Sequence, residues 1–77
     1  MDKYENEILS RLYQSYVMGG DVYSYAYNTE NAHMAEIKKR AIKLLEEKGY
    51  LEIQSLGDKK ARIAITDAGI EYGNNNY

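Results

Sequence analysis

Eight of the ten basic residues of this 77-residue chain fall between positions 36 and 62: Lys38, Lys39, Arg40, Lys43, Lys48, Lys59, Lys60 and Arg62. That segment also holds Glu36, Glu46, Glu47, Glu52 and Asp58, so it carries +3, whereas the whole chain carries −2. Clustered ammonium and guanidinium groups pair with phosphates and release condensed counterions, which makes binding to a polyanion strong and salt-dependent. Arg40 is the residue able to grip a guanine edge bidentately. Glu36 is spaced to accept from a cytosine amine, or else to hold Arg40 one turn along a helix. Such asymmetry suggests one face for a polyanion and another without that role.

The bland alternative is equally concrete. Glu36–Arg40 and Lys43–Glu47 have the i,i+4 spacing of ordinary surface ion pairs, each contributing about 0.3–0.5 kcal/mol. Lys39 and Lys43 are like charges one turn apart, a mildly unfavourable arrangement that an external anion would relieve. On its own the Lys38-Lys39-Arg40 run reads as solvated surface. The basic residues at 59–62, arriving from a different part of the chain, shift the balance towards a polyanion.

Other chemistry finds few residues to carry it. There is no cysteine, hence no disulfide or thiolate site, and one histidine, His33, rules out a His-rich metal site. Carboxylates remain as weak ligands for hard cations. No glycine loop is spaced to cradle a phosphate, and His33 has no serine or carboxylate constellation around it. The sequence therefore implies no catalytic residues, no cofactor and no enzyme; His33 reads first as a cap or surface residue. Nine tyrosines with no phenylalanine or tryptophan suit half-buried positions and interfaces. Tyr23, Tyr25 and Tyr27 read first as packing residues, and only then as platforms for stacked bases.

The elements that must position these groups follow from periodicity. Residues 2–18 predict a helix, with Asp2 and Glu5 spaced as a capping box, and Ile8, Leu9, Leu12, Tyr13, Tyr16 and Val17 forming one stripe. Gly19-Gly20 stops it. In 21–32, Tyr23, Tyr25 and Tyr27 alternate as in a strand, while a very short strand followed by a short helix fits equally well. Residues 32–48 predict the second long helix. Met34, Ile37, Ala41, Leu44 and Leu45 lie on its inner arc, with Glu36, Lys39, Arg40, Lys43 and Glu47 opposite and Gly49 just past its end. Tyr50–Ser55 and Lys60–Ile65 predict a hairpin whose Gly57-Asp58 turn accommodates positive φ. Thr66 and Asp67 start a last helix, and 74–77 form a frayed tail.

One domain follows, residues 1–73, of α+β class, because a lone two-stranded hairpin must lie against the helices. A core this small is marginal by itself, burying roughly 60% of the unfolded surface, so a homodimer is expected. No segment approaches a membrane span or a signal peptide, so a cytoplasmic protein without a membrane partner is expected.

The runs "AIKLLEEKGYLEI", "GDKKARIAIT" and "TDAGIEY" together resemble a winged helix-turn-helix domain, similar to small bacterial or phage regulators of the multiple-antibiotic-resistance and PadR groups. The likeness covers residues 34–73, with 2–17 in the place of the first helix. The family's second helix and turn have no visible counterpart in 21–33, nor does the sequence carry those regulators' long C-terminal dimerisation helix. The resemblance implies a small transcriptional regulator that binds double-stranded DNA, with residues 32–48 as the recognition helix in the major groove. His33, Glu36, Lys39, Arg40 and Lys43 would face the DNA from it. The wing, residues 56–62, would reach the backbone with Lys59, Lys60 and Arg62. A homodimer would use the first helix and the tyrosine-rich segment. The alternative is a winged helix for protein contact, an accessory or inhibitory factor without DNA binding.

Overall fold

Helix starts and stops fall where the side chains can satisfy free backbone groups. The computed structural model describes residues 1–77 and contains, in order, α1 (Lys3–Val17), β1 (Tyr23–Ala26), α2 (Ala32–Glu47), β2 (Leu51–Leu56), β3 (Lys60–Ile65) and α3 (Asp67–Asn76). At α1 the Asp2 carboxylate accepts from the Glu5 N–H at 2.8 Å and the Glu5 carboxylate returns to the Asp2 N–H, so the expected capping box forms. At α2 the Asn31 carboxamide accepts from the N–H groups of His33 and Met34 at 2.9 and 3.2 Å. Gly19 and Gly49, at φ 99° and 83°, end the two long helices in the left-handed region that glycine tolerates.

The three strands form one antiparallel sheet in the order β1-β3-β2. The class is α+β, three helices with a β-hairpin, compatible with a small winged-helix-like fold. Instead of a lone hairpin there are three strands, because β1 pairs with β3 in the register Tyr23 with Ile63 through Ala26 with Lys60. Tyr27 prolongs that ladder, donating its N–H to the Lys59 carbonyl at 3.1 Å. Between β1 and α2 the chain turns at Asn28, with φ 54°, and no helix intervenes. The first helix of the helix-turn-helix pair that the resemblance implies is therefore absent.

The core gathers Ile8, Leu9 and Leu12 of α1, Ala41, Ile42 and Leu45 of α2, and Leu51, Ala61 and Ile63 of the hairpin, together with Tyr25 and Tyr27. One expectation for α2 is corrected. Ile42 is wholly buried while Leu44 is 37% exposed, so the inner arc is rotated towards Ala41, Ile42 and Leu45. Periodicity fixed the spacing of that arc, but its direction depends on α1 and β2, against which α2 packs.

The hairpin turn is also corrected. Neither Gly57 nor Asp58 has positive φ; Gly57 is needed for space, since a Cβ there would lie 2.9 Å from the Lys60 carbonyl oxygen. The frayed tail is corrected too. α3 runs through Asn76 and is held on α1 by Tyr13, whose hydroxyl donates to Asn74 Oδ1 at 2.6 Å, and by Tyr77, whose hydroxyl donates to Asn6 Oδ1 at 3.2 Å.

Candidate nucleic-acid interface

α2 buries Ala41, Ile42 and Leu45, and helical geometry then turns Glu36, Arg40, Lys43 and Glu47 outward along one row. His33 extends the exposed face at the first turn of α2. Neither Glu36–Arg40 nor Lys43–Glu47 forms an ion pair; Glu36 reaches Lys39 instead, at 3.4 Å. Lys39 is not a free cation. Its side chain is 17% exposed, lies 4.0 Å from the Asp58 carboxylate, and stands over the Tyr27 ring at 5.8 Å. Two carboxylates and a π face thus absorb the charge that the sequence places at the centre of the row.

The hairpin turn is fastened to the body through the same residues. The Tyr27 hydroxyl donates to the Gly57 carbonyl at 2.8 Å, and the Lys38 ammonium donates to the Tyr27 carbonyl. Tyr27 is 1% exposed, so its ring is a buried spacer between the turn and the first half of α2. Burial pushes the Tyr27 hydroxyl above its ordinary pKa, with the Asp58 and Glu36 charges adding to the effect. The turn therefore lies against α2 instead of projecting freely, and it presents Lys59 to solvent beside the Glu36–Lys39 turn.

Lys60 and Arg62 go elsewhere. They alternate along β3 with Ala61 and Ile63, which are in the core, so both stand on the sheet face turned away from the helices. Ser24 and Ala26 flank them on that face, by the β1–β3 register. The structure thus joins Lys59 to the first half of α2. It leaves Lys60 and Arg62 across the sheet from Arg40 and Lys43.

What distinguishes these residues is their lack of internal partners. Arg11, Lys39 and Lys48 pair with carboxylates, and Lys38 is held by a carbonyl. Arg40, Lys43, Lys59, Lys60 and Arg62 are exposed, and none has a carboxylate within 4.0 Å. Beside that contact an open cleft of about 730 Å³ is lined by Asn28, Thr29, Glu30, Asn31, Asp58 and Lys59 among others. No group of three or more His, Cys, Asp or Glu is placed to hold a metal ion, and no helix is long and apolar enough to cross a membrane.

Sequence reasoning missed two charged contacts. Glu5, only 4% exposed, receives the Lys48 ammonium and so joins the start of α1 to the end of α2. That hydrogen bond pushes the Lys48 pKa up. The partners lie 43 positions apart, and no local pattern marks them. The Lys39–Asp58 contact is equally non-local. No family model, curated protein or solved structure matches the chain.

Proposed function

We propose that the protein binds double-stranded DNA as a small regulatory module, with α2 as the reading helix and the hairpin turn, through Lys59, on the backbone. The observation that carries this reading is the distribution of unpaired cations. Of the six exposed cations without a carboxylate partner only Lys3 lies outside α2 and the hairpin; Arg40, Lys43 and Lys59 stand on the α2 side, and the other lysines of that region serve internal contacts. Solvated cations without a carboxylate partner cost little to transfer to phosphate and gain by counterion release. Lys39 has the role of fixing the turn rather than touching DNA, because its pairing with Glu36 and Asp58 would have to break first. Arg40 remains the residue for a base edge, with His33 and Glu36 beside it.

The test is fluorescence anisotropy with mixed duplex DNA at about 50 mM salt, followed by a salt titration. Lys60 and Arg62 face away from α2, so a duplex lying on α2 meets Arg40, Lys43 and Lys59, and their engagement gives a log–log slope of about −2.7. Arg40→Glu with Lys43→Glu removes most of that slope, whereas Lys60→Glu with Arg62→Glu, on the opposite face, leaves it in place. Wild-type protein that shows no binding, or binding that Arg40→Glu with Lys43→Glu leaves unweakened, refutes the proposal.

A second reading, protein contact without DNA, is favoured by the exposed apolar end of α1, where Tyr16, Val17 and Met18 face solvent. The overall charge of −2 points the same way. Its signature is a partner that co-purifies and whose binding survives the four charge reversals.

A further inference from the structure

Lys60 and Arg62 stand on the sheet face turned away from the helices, where a duplex lying on α2 does not reach them. Their surroundings there are set by an irregularity in β2. Strict alternation from Leu51 and Ile53 would turn Ser55 inward. The register shifts between Ile53 and Ser55, so Ser55 stands opposite Arg62 and Leu56 takes the inward place. From the other side Ser24 of β1 is also opposite Arg62. Arg62 is thus the middle of a row crossing the three strands, serine–arginine–serine, and all three residues are exposed. Lys60 lies two positions away along β3, about 7 Å from Arg62 on the same face.

This row matches one chemistry. A guanidinium, an ammonium and two hydroxyls are the groups that hold a protein on phosphate oxygens without reading bases. The neighbouring outward residues Ala26 and Ala64 are too short to keep a phosphate backbone away. Glu52, the outward carboxylate of the strands, stands opposite Ala64 and is not within 4.0 Å of either cation. A protein partner would seek a large apolar or aromatic anchor, and the outward residues of the three strands supply none.

We infer that this face grips the phosphate backbone of a second duplex, so that one chain bridges two DNA segments. α2 reads the first, and Ser24, Ser55, Lys60 and Arg62 hold the second. The inference rests on the DNA reading of α2. Repulsion between the segments is small: the chain's smallest extent, 18 Å, exceeds the Debye length of about 10 Å at 0.1 M salt. Two cations give the second binding step a log–log slope of about −1.8. Raising salt from about 50 to about 200 mM therefore weakens that step about twelvefold.

The experiment captures a fluorescent duplex on beads that carry an unlabelled duplex of the same sequence, with the full chain limiting and about 50 mM salt. Anisotropy with a single duplex runs beside it. Expected is capture that requires the protein. Lys60→Glu with Arg62→Glu abolishes capture and leaves single-duplex anisotropy unchanged. Ser24→Ala with Ser55→Ala weakens the second step about fivefold, as loss of one hydrogen bond does. All four positions are exposed, so each variant keeps the circular dichroism of the parent. Capture that survives Lys60→Glu with Arg62→Glu overturns the inference, because it then comes from another surface or from a dimer offering two α2 helices. Single-duplex binding without capture also overturns it and leaves the reading of α2 standing. A chain that binds no duplex refutes both. A protein that co-purifies with the parent and is lost from the Lys60→Glu, Arg62→Glu variant, with no capture, assigns the face to protein contact instead.

Discussion

Gly69 offers a test in which two well-understood effects oppose each other. It sits inside α3 with ordinary helical backbone, so intrinsic propensity favours Gly69→Ala by about 1 kcal/mol. Space opposes it. A Cβ at Gly69 would lie 2.1 Å from the Tyr50 carbonyl oxygen and 2.7 Å from Ile65 Cγ1. An ordinary carbon–oxygen contact needs about 3.3 Å, so one of the partners must retreat by about 1 Å. The carbonyl is not free to do so: it accepts the Thr66 N–H at 3.2 Å, and the Thr66 hydroxyl in turn donates to the Gly49 carbonyl. Overpacking of this kind costs about 1–3 kcal/mol, and losing the Thr66 hydrogen bond adds about 0.5–1.5 kcal/mol. Repulsion wins over propensity, leaving a net destabilisation of about 1–3 kcal/mol. The assay is urea and thermal unfolding of Gly69→Ala beside Asn75→Ala, an exposed control in the same helix. Each kcal/mol lowers the Tm by roughly 4–8 °C in a domain of this size. A Gly69→Ala protein as stable as the parent, or more so, would refute the close approach of α3 to the start of β2.

Two further outcomes follow from the tyrosines. Burial raises the Tyr25 and Tyr27 hydroxyl pKa values above the ordinary 10.0, with the neighbouring Glu7 adding to the shift at Tyr25. The folded state keeps these protons when the unfolded chain has begun to release them. Their stabilisation is therefore complete below pH 10, and it declines as pH rises beyond that point. Urea midpoints measured across the alkaline range are expected to fall, and Tyr25→Phe should flatten the fall; an unchanged slope in that variant would count against the assignment. Tyr27→Phe removes the hydroxyl that holds the Gly57 carbonyl at 2.8 Å. Because Gly57 is exposed and water can replace the donor, the expected loss is about 0.5–1.5 kcal/mol, with faster exchange of the hairpin-turn amides and helical content retained.

Much of the local structure was legible because its causes are local. Asp2 and Glu5 cap α1 and Thr66 caps α3 through side chains within three positions of the groups they satisfy. Gly19 and Gly49 mark helix ends because the required left-handed backbone is a property of one residue. Alternation placed Ala61 and Ile63 inward, and the same alternation sends Lys60 and Arg62 to the opposite face. The candidate site was legible as a set of residue types and less so as a surface. Sequence grouped Lys39 with Arg40 and Lys43, but a turn nineteen positions later supplies Asp58 and takes Lys39 out of solvent.

The amino-acid order by itself determined the three helices, the β2–β3 hairpin, the helix caps and the concentration of cations in 36–62, since each depends on neighbours within about one helical turn or one strand pair. Only the tertiary structure decided that β1 joins the sheet, that α2 turns Ile42 rather than Leu44 inward, that α3 continues to Asn76, and that the hairpin turn rests on α2 through Tyr27 and Lys39. Those outcomes rest on packing and pairing between residues far apart in the chain, and such contacts leave no periodic trace in either partner's own segment.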